Sequence, residues 1–160
     1  MFETVAYIQN SDELRIYARH ICGCIDETVL GVGIDIAPSH DFTGPAGKRF
    51  SRLLFLPQEL ASIEDAPCER EIALASLFAA KEAAFKCTSS AMAALPQDVQ
   101  SGIHFESRDL EIRGSRAIGI ERIGNAAEGL ARMGIGCITL NYAVLDDMAL
   151  VIAFAQARRD

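Results

Sequence analysis

EREIALASLFAAKEAAFKC, residues 69–87, is the stretch on which the fold turns. Ile72, Leu74, Leu77, Phe78 and Phe85 recur at helical spacing among alanines, the strongest helix formers, so the pattern predicts a helix from Glu69 to about Cys87. Within it Glu82 and Lys86 stand four residues apart, placing a carboxylate beside an ammonium on one helical face. Taken alone, the pair equally fits a surface ion pair worth about 0.2–0.5 kcal/mol. Lys81 projects about 100° around the helix from Glu82.

Upstream, Gly31 to Ile36 (Gly-Val-Gly-Ile-Asp-Ile) reads as a buried strand delivering one carboxylate, Asp35, among apolar neighbours. Gly31-Val32-Gly33 does not complete a dinucleotide fingerprint, because Ile36 occupies the place of the third glycine. Asp35 by itself fits a hydrogen-bonded structural carboxylate as well as a functional one. Pro38 and Gly44-Pro45-Ala46-Gly47 are expected to break regular structure and lead into Lys48-Arg49-Phe50-Ser51-Arg52, the one dense basic cluster. Pro57 suits the first turn of a brief helix. Nearer the N-terminus, a short strand is expected around Val5 to Ile8. Ser11-Asp12-Glu13 then opens a helix to about Cys22.

Downstream, Ser89, Ser90, Pro96 and Ser101 mark a polar loop. Two short strands, Ile103 to Glu106 and Leu110 to Arg113, are expected to form a hairpin around Ser107-Arg108-Asp109, with another strand over Ala117 to Ile123. A helix from Asn125 ends near Gly134. Strands follow at Gly136 to Tyr142 and Met148 to Phe154, turning at Asp146-Asp147. Helices mixed with antiparallel strands in this way make an α+β domain, a small antiparallel sheet packed against helices.

The 160 residues suit one domain, and no repeat or linker divides them. A net charge of -7 excludes a general nucleic-acid binder that works by neutralising phosphates. No apolar run reaches the roughly 20 residues that span a bilayer, and Met1-Phe2-Glu3-Thr4 lacks a secretory pattern, so a soluble cytoplasmic protein without a membrane partner is expected. Five scattered cysteines, Cys22, Cys24, Cys68, Cys87 and Cys137, fit reduced thiols better than zinc or disulfides. Lysine is scarce: of three in the chain, Lys81 and Lys86 fall in the decisive helix.

Gly-Val-Gly-Ile-Asp-Ile, followed 47 residues after its aspartate by the glutamate of Phe-Ala-Ala-Lys-Glu-Ala-Ala-Phe-Lys, resembles the 4'-phosphopantetheinyl transferase superfamily. The likeness takes in Arg49-Phe50, Leu56-Pro57-Gln58-Glu59 and Gly134 to Leu140, and it divides the chain into an extension, 1–29, packed on a transferase-like domain, 30–157. It implies transfer of the phosphopantetheine arm of coenzyme A to a serine of an apo carrier protein, with release of adenosine 3',5'-bisphosphate. Asp35 and Glu82 would be the Mg2+ ligands. Lys86 would stabilise or protonate the leaving phosphate, and either Glu82 or a metal-bound water would accept the serine proton. Lys81 is a less secure phosphate contact.

The chain departs from the family pattern at several places. Ala37 stands where longer, surfactin-type members carry a second acid, and His40 where the short holo-acyl-carrier-protein-synthase type carries an arginine. Leu77 replaces a basic residue, and Cys87-Thr88-Ser89-Ser90 replaces a glycine-rich stretch. His40 is thus a phosphate contact, a base or an exposed loop histidine. The departures leave open a non-catalytic relative that binds carrier protein or coenzyme A. Surfactin-type enzymes resemble two such half-folds in one chain, so the length implies a homo-oligomer, with the trimer of the short type favoured. Lys48, Arg49 and Arg52 would then meet the coenzyme A 3'-phosphate or an acidic carrier protein, or else form an ordinary solvated loop.

Overall fold

The computed structural model describes residues 6–9, 11–23, 25–64, 66, 68–104, 106–113, 119–122 and 125–158. Strand β1 (Ala6–Ile8) and helix α1 (Ser11–Gly23) precede β2 (Val29–Pro38), a 3-10 turn (Ser39–Phe42), α2 (Gly44–Leu54) and α3 (Pro57–Glu64). Then come α4 (Arg70–Ala93), α5 (Gln97–Gln100), β3 (Leu110–Arg113), β4 (Gly119–Arg122), α6 (Asn125–Arg132), β5 (Ile135–Leu145) and β6 (Met148–Ala157). The main sheet has the order β1-β5-β6-β2, antiparallel throughout except for β1, which runs parallel to β5; β3 and β4 form a separate antiparallel pair.

Helix α4 lies against the sheet and is buried on nearly every side, with Ala73, Leu77, Ala80, Ala84 and Cys87 fully enclosed. Its small side chains let β2 come unusually close. A Cβ on Gly31 would overlap the Cys87 carbonyl and the Ala91 amide, and one on Gly33 would overlap the Ala83 carbonyl and the Cys87 amide. The two glycines therefore exist for helix–strand contact, which is the close-approach role of glycine in a strand. Strand alternation then sends Asp35 and Ala37 to the same α4-facing side.

The other side of β2 corrects the expectation of a fully buried strand. β2 is a sheet edge, and Val32, Ile34 and Ile36 stand exposed, Ile36 by 56%. A mostly apolar run signals two apolar faces; only one of them is covered by the described residues.

Several local expectations change. The Gly44-Pro45-Ala46-Gly47 stretch opens α2 rather than breaking structure, because proline in the first turn gives up no intrahelical hydrogen bond. The basic cluster is accordingly helical. Helix α4 continues through Ser89 and Ser90, replacing the expected polar loop there, since Thr88 and Ser89 satisfy their hydroxyls by donating to the Phe85 carbonyl at 2.8 and 2.9 Å. Ile103, His104 and Glu106 form no strand. Ser107–Asp109 is a 3-10 turn capped reciprocally by Glu106 and Asp109, and Leu110–Arg113 pairs instead with β4. Val5, Cys24, Phe105 and, from the expected strand at 117–123, residues 117, 118 and 123 lie outside the described residues. The β5–β6 turn falls at Asp146-Asp147 as expected, with Asp146 in the left-handed region at φ 52°.

β1 aligns Ile8 with Leu145, and Ile8 and Ile21 are buried, while Ile16 of α1 is 67% exposed. Among the described residues no helix is long and apolar enough to cross a membrane.

Candidate active site

β2 and α4 run in opposite directions: Gly31 abuts Cys87 and Ala91, and Gly33 abuts Ala83 and Cys87. Two residues of strand match about one helical turn, so Asp35 falls level with the turn that holds Glu82. Lys86 closes the arrangement. Its ammonium donates to Asp35 Oδ1 at 2.5 Å and to the Ile34 carbonyl at 3.3 Å. Asp35 and Lys86, 51 residues apart, are thereby joined across one helix–strand contact, one turn of α4 from Glu82.

Their environments differ usefully. The Asp35 side chain is only 14% exposed, and Oδ2 is buried without any hydrogen-bond partner among the described residues. Glu82 is half-buried, and its side chain makes no hydrogen bond or ion pair with the described residues. A buried carboxylate oxygen left unpaired is costly unless something outside the chain satisfies it. The donors are oxygens only, which suits a hard divalent cation such as Mg2+ over zinc or copper. Among the described residues no cluster of three His, Cys, Asp or Glu side chains offers a complete cage. Such an ion would take its remaining ligands from water and a phosphate-bearing substrate, as Mg2+ commonly does.

Lys81 is corrected as a phosphate contact. It is 4% exposed and spends all three ammonium protons inside the protein, on Glu59 Oε1 at 2.8 Å, Glu59 Oε2 at 3.1 Å and the Leu110 carbonyl at 2.8 Å. Glu59 also accepts the Ile112 and Leu56 N–H groups at 3.0 and 2.9 Å. Sequence reasoning gave Glu59 no role; the one available signal was Lys81 itself, a lysine on the apolar side of a helix that burial cannot leave unpaired.

His40 sits in the 3-10 turn after β2, its ring nitrogens each 3.6 Å from a carboxylate oxygen, one of Asp41 and one of Asp147. Two acids beside it make a poor seat for a phosphate. Lys48, Arg49 and Arg52 are exposed on α2 and make no ion pair with the described residues. Leu53 beside them is 76% exposed. A cluster of Phe42, Phe50, Phe55 and Phe78, with ring centroids 5.8–6.3 Å apart, ties this helix to α4. Leu77, the departure on α4, is wholly enclosed in the core. Cys87, next to Lys86, is no nucleophile: burial pushes its thiol up to about 12.

The profile of the 4'-phosphopantetheinyl transferase superfamily matches residues 31–126. The chain is similar to the solved acyl carrier protein synthase of Mycobacterium tuberculosis, with 25% identity over 81% of this chain and 99% of that one and a TM-score of 0.59. It shares the fold of the Plasmodium yoelii holo-ACP-synthase (21% identity, 82% and 97% covered, TM-score 0.57). The same holds for an ACPS-CoA complex from Chronobacterium ammoniagenes (23% identity, 81% and 98% covered, TM-score 0.56). No curated protein matches the chain in sequence.

Proposed function

The chain belongs to the 4'-phosphopantetheinyl transferase superfamily, and from that premise we propose that it moves the phosphopantetheine arm of coenzyme A to a serine of an apo carrier protein of fatty-acid, polyketide or nonribosomal-peptide synthesis, releasing adenosine 3',5'-bisphosphate in the cytoplasm. The observation that carries the proposal is the buried Oδ2 of Asp35, unpaired among the described residues, with Lys86 on its other oxygen and Glu82 one turn before Lys86 on the same helix. Asp35 and Glu82 would hold Mg2+, which supplies positive charge against the pyrophosphate when bound.

The chain's own groups do the rest. The serine oxygen forms a bond to the phosphorus that carries pantetheine, and the bridging oxygen of the pyrophosphate leaves with the nucleotide. Lys86 is 48% exposed and is the cation placed to meet the developing charge on that leaving oxygen. Glu82 has no partner among the described residues and is available to take the serine proton. The departures at Leu77 and Ser89 serve packing and helix hydrogen bonding, so they lend no support to a non-catalytic relative. Coenzyme A incubated with the protein and Mg2+ is expected to release adenosine 3',5'-bisphosphate only when an apo carrier protein is present. Release independent of carrier would replace transfer by hydrolysis.

On α2, Lys48, Arg49 and Arg52 surround the exposed Leu53, a basic rim around an apolar anchor that fits an acidic carrier helix or the coenzyme A 3'-phosphate. Lys48→Ala with Arg49→Ala is expected to raise the KM of one substrate about tenfold at low salt, an effect that shrinks as salt rises. Unchanged KM values for both substrates would remove α2 from the binding surface.

The exposed face of β2 supports a homo-oligomer, a trimer as in the short family type. Val32, Ile34, Ile36 and Met148 lie on one side of the β2–β6 pair and are all exposed, an apolar strip of the kind that marks an interface. Ile34→Arg is expected to convert the assembly to monomers in sedimentation and to reduce transfer. A monomeric parent protein would contradict the oligomer outright.

A further inference from the structure

Lys81 and Glu59 form an ion pair that is almost completely enclosed, at 4% and 0% side-chain exposure, and the proposed reaction does not use it. Its connections are broader than a pair. Through Glu59 and Lys81, α3 is joined to α4; through the Ile112 N–H and the Leu110 carbonyl, both are joined to β3; and the Leu56 N–H fixes the start of α3. Every proton of the ammonium has an acceptor, and each carboxylate oxygen accepts two hydrogen bonds. An arrangement so fully satisfied has one geometry, and shifting α4 along or about its axis breaks several hydrogen bonds at once.

Lys81 is adjacent in sequence to Glu82 and about 100° from it around the helix. The contact of α4 with Gly31 and Gly33 sets how closely the helix approaches β2, and a polar device with one geometry adds a directional constraint that apolar packing does not supply. Buried ion pairs cost desolvation and are poor sources of net stability; an attested use is to specify one arrangement among alternatives. We propose that the Lys81–Glu59 pair is a positioning device that fixes the rotation of α4 and thereby aims Glu82 and Lys86 at Asp35. The inference rests on the transferase reading of those three residues.

The test compares the parent protein with the double variant Glu59→Gln, Lys81→Met, which removes both charges together and keeps an acceptor for a backbone N–H. The measurements are the melting temperature, kcat and KM for transfer, and Mn2+ affinity in the presence of coenzyme A by electron paramagnetic resonance. The expected result is a melting temperature near that of the parent, kcat lowered by about tenfold or more with KM within about twofold, and Mn2+ affinity weakened by about tenfold, the scale on which groups that orient ligands act. A folded variant with parental kcat and Mn2+ affinity overturns the inference and leaves the transferase reading intact. Should the double variant not fold, the same measurements on Lys81→Arg decide, because a planar fork in place of the ammonium keeps the charge and alters its geometry. A parent protein that neither transfers the arm nor binds Mn2+ overturns the transferase reading, and this inference with it, and is told apart because the failure is seen without any substitution.

Discussion

Glu82→Gln is expected to keep the fold and lose transfer, with kcat down by at least about a thousandfold, within the range that a positioned acid–base group supplies. The substitution is nearly isosteric, and Glu82 makes no hydrogen bond or ion pair with the described residues, so stability should change by no more than about 0.5 kcal/mol. What disappears is the charged carboxylate that, in the proposed site, is the second anionic donor for a cation and one of the two candidate acceptors for the serine proton. A melting curve and a single-turnover assay on the same sample check both halves. Parental activity in a folded Glu82→Gln protein would mean that the site lies elsewhere.

Gly33→Val acts through the fold. A Cβ at this position overlaps the Ala83 carbonyl and the Cys87 amide, both of them helix backbone that no side-chain rotation can move aside. β2 and α4 must then separate along their most intimate contact, and the overpacking penalty exceeds the usual 1–3 kcal/mol, at about 4 kcal/mol or more. That is a large share of the stability of a domain this size, so the variant is expected to be insoluble or to melt far below the parent. A circular dichroism melt checks it, and a parental melting temperature would show that β2 does not lie on α4 as described. Asp35 is two residues along the same face, so even a folded Gly33→Val protein should lose the Asp35–Lys86 hydrogen bond.

Much of this was legible in the chain because local physics and tertiary demand agree there. Alanine-rich periodicity located α4, and the Asp146-Asp147 turn between two apolar runs located the β5–β6 hairpin. Asp35, Glu82 and Lys86 stood out only jointly, since each has an ordinary structural explanation by itself. Several of the failures originate in partners distant in sequence. Lys81 looked like a second phosphate contact because its true partner, Glu59, lies 22 residues away on another helix. Residues 103–106 alternate like a strand, yet β3 finds its partner in β4. Glycine and proline at 44–47 suggested a break, although the first turn of a helix tolerates both. The exposed side of β2 could not be told from a buried one, because the apolar residues that such a face requires are the same whether its cover comes from this chain or from another copy.

Asp35, Glu82 and Lys86 are proposed to transfer a phosphopantetheine arm. The most direct test of that transfer is the intact mass of apo carrier proteins after incubation with the protein, coenzyme A and Mg2+. The expected result is a gain of one phosphopantetheine on a single serine of at least one carrier, absent when Glu82→Gln replaces the parent. No gain on any carrier, under conditions where an established transferase modifies the same proteins, would contradict it.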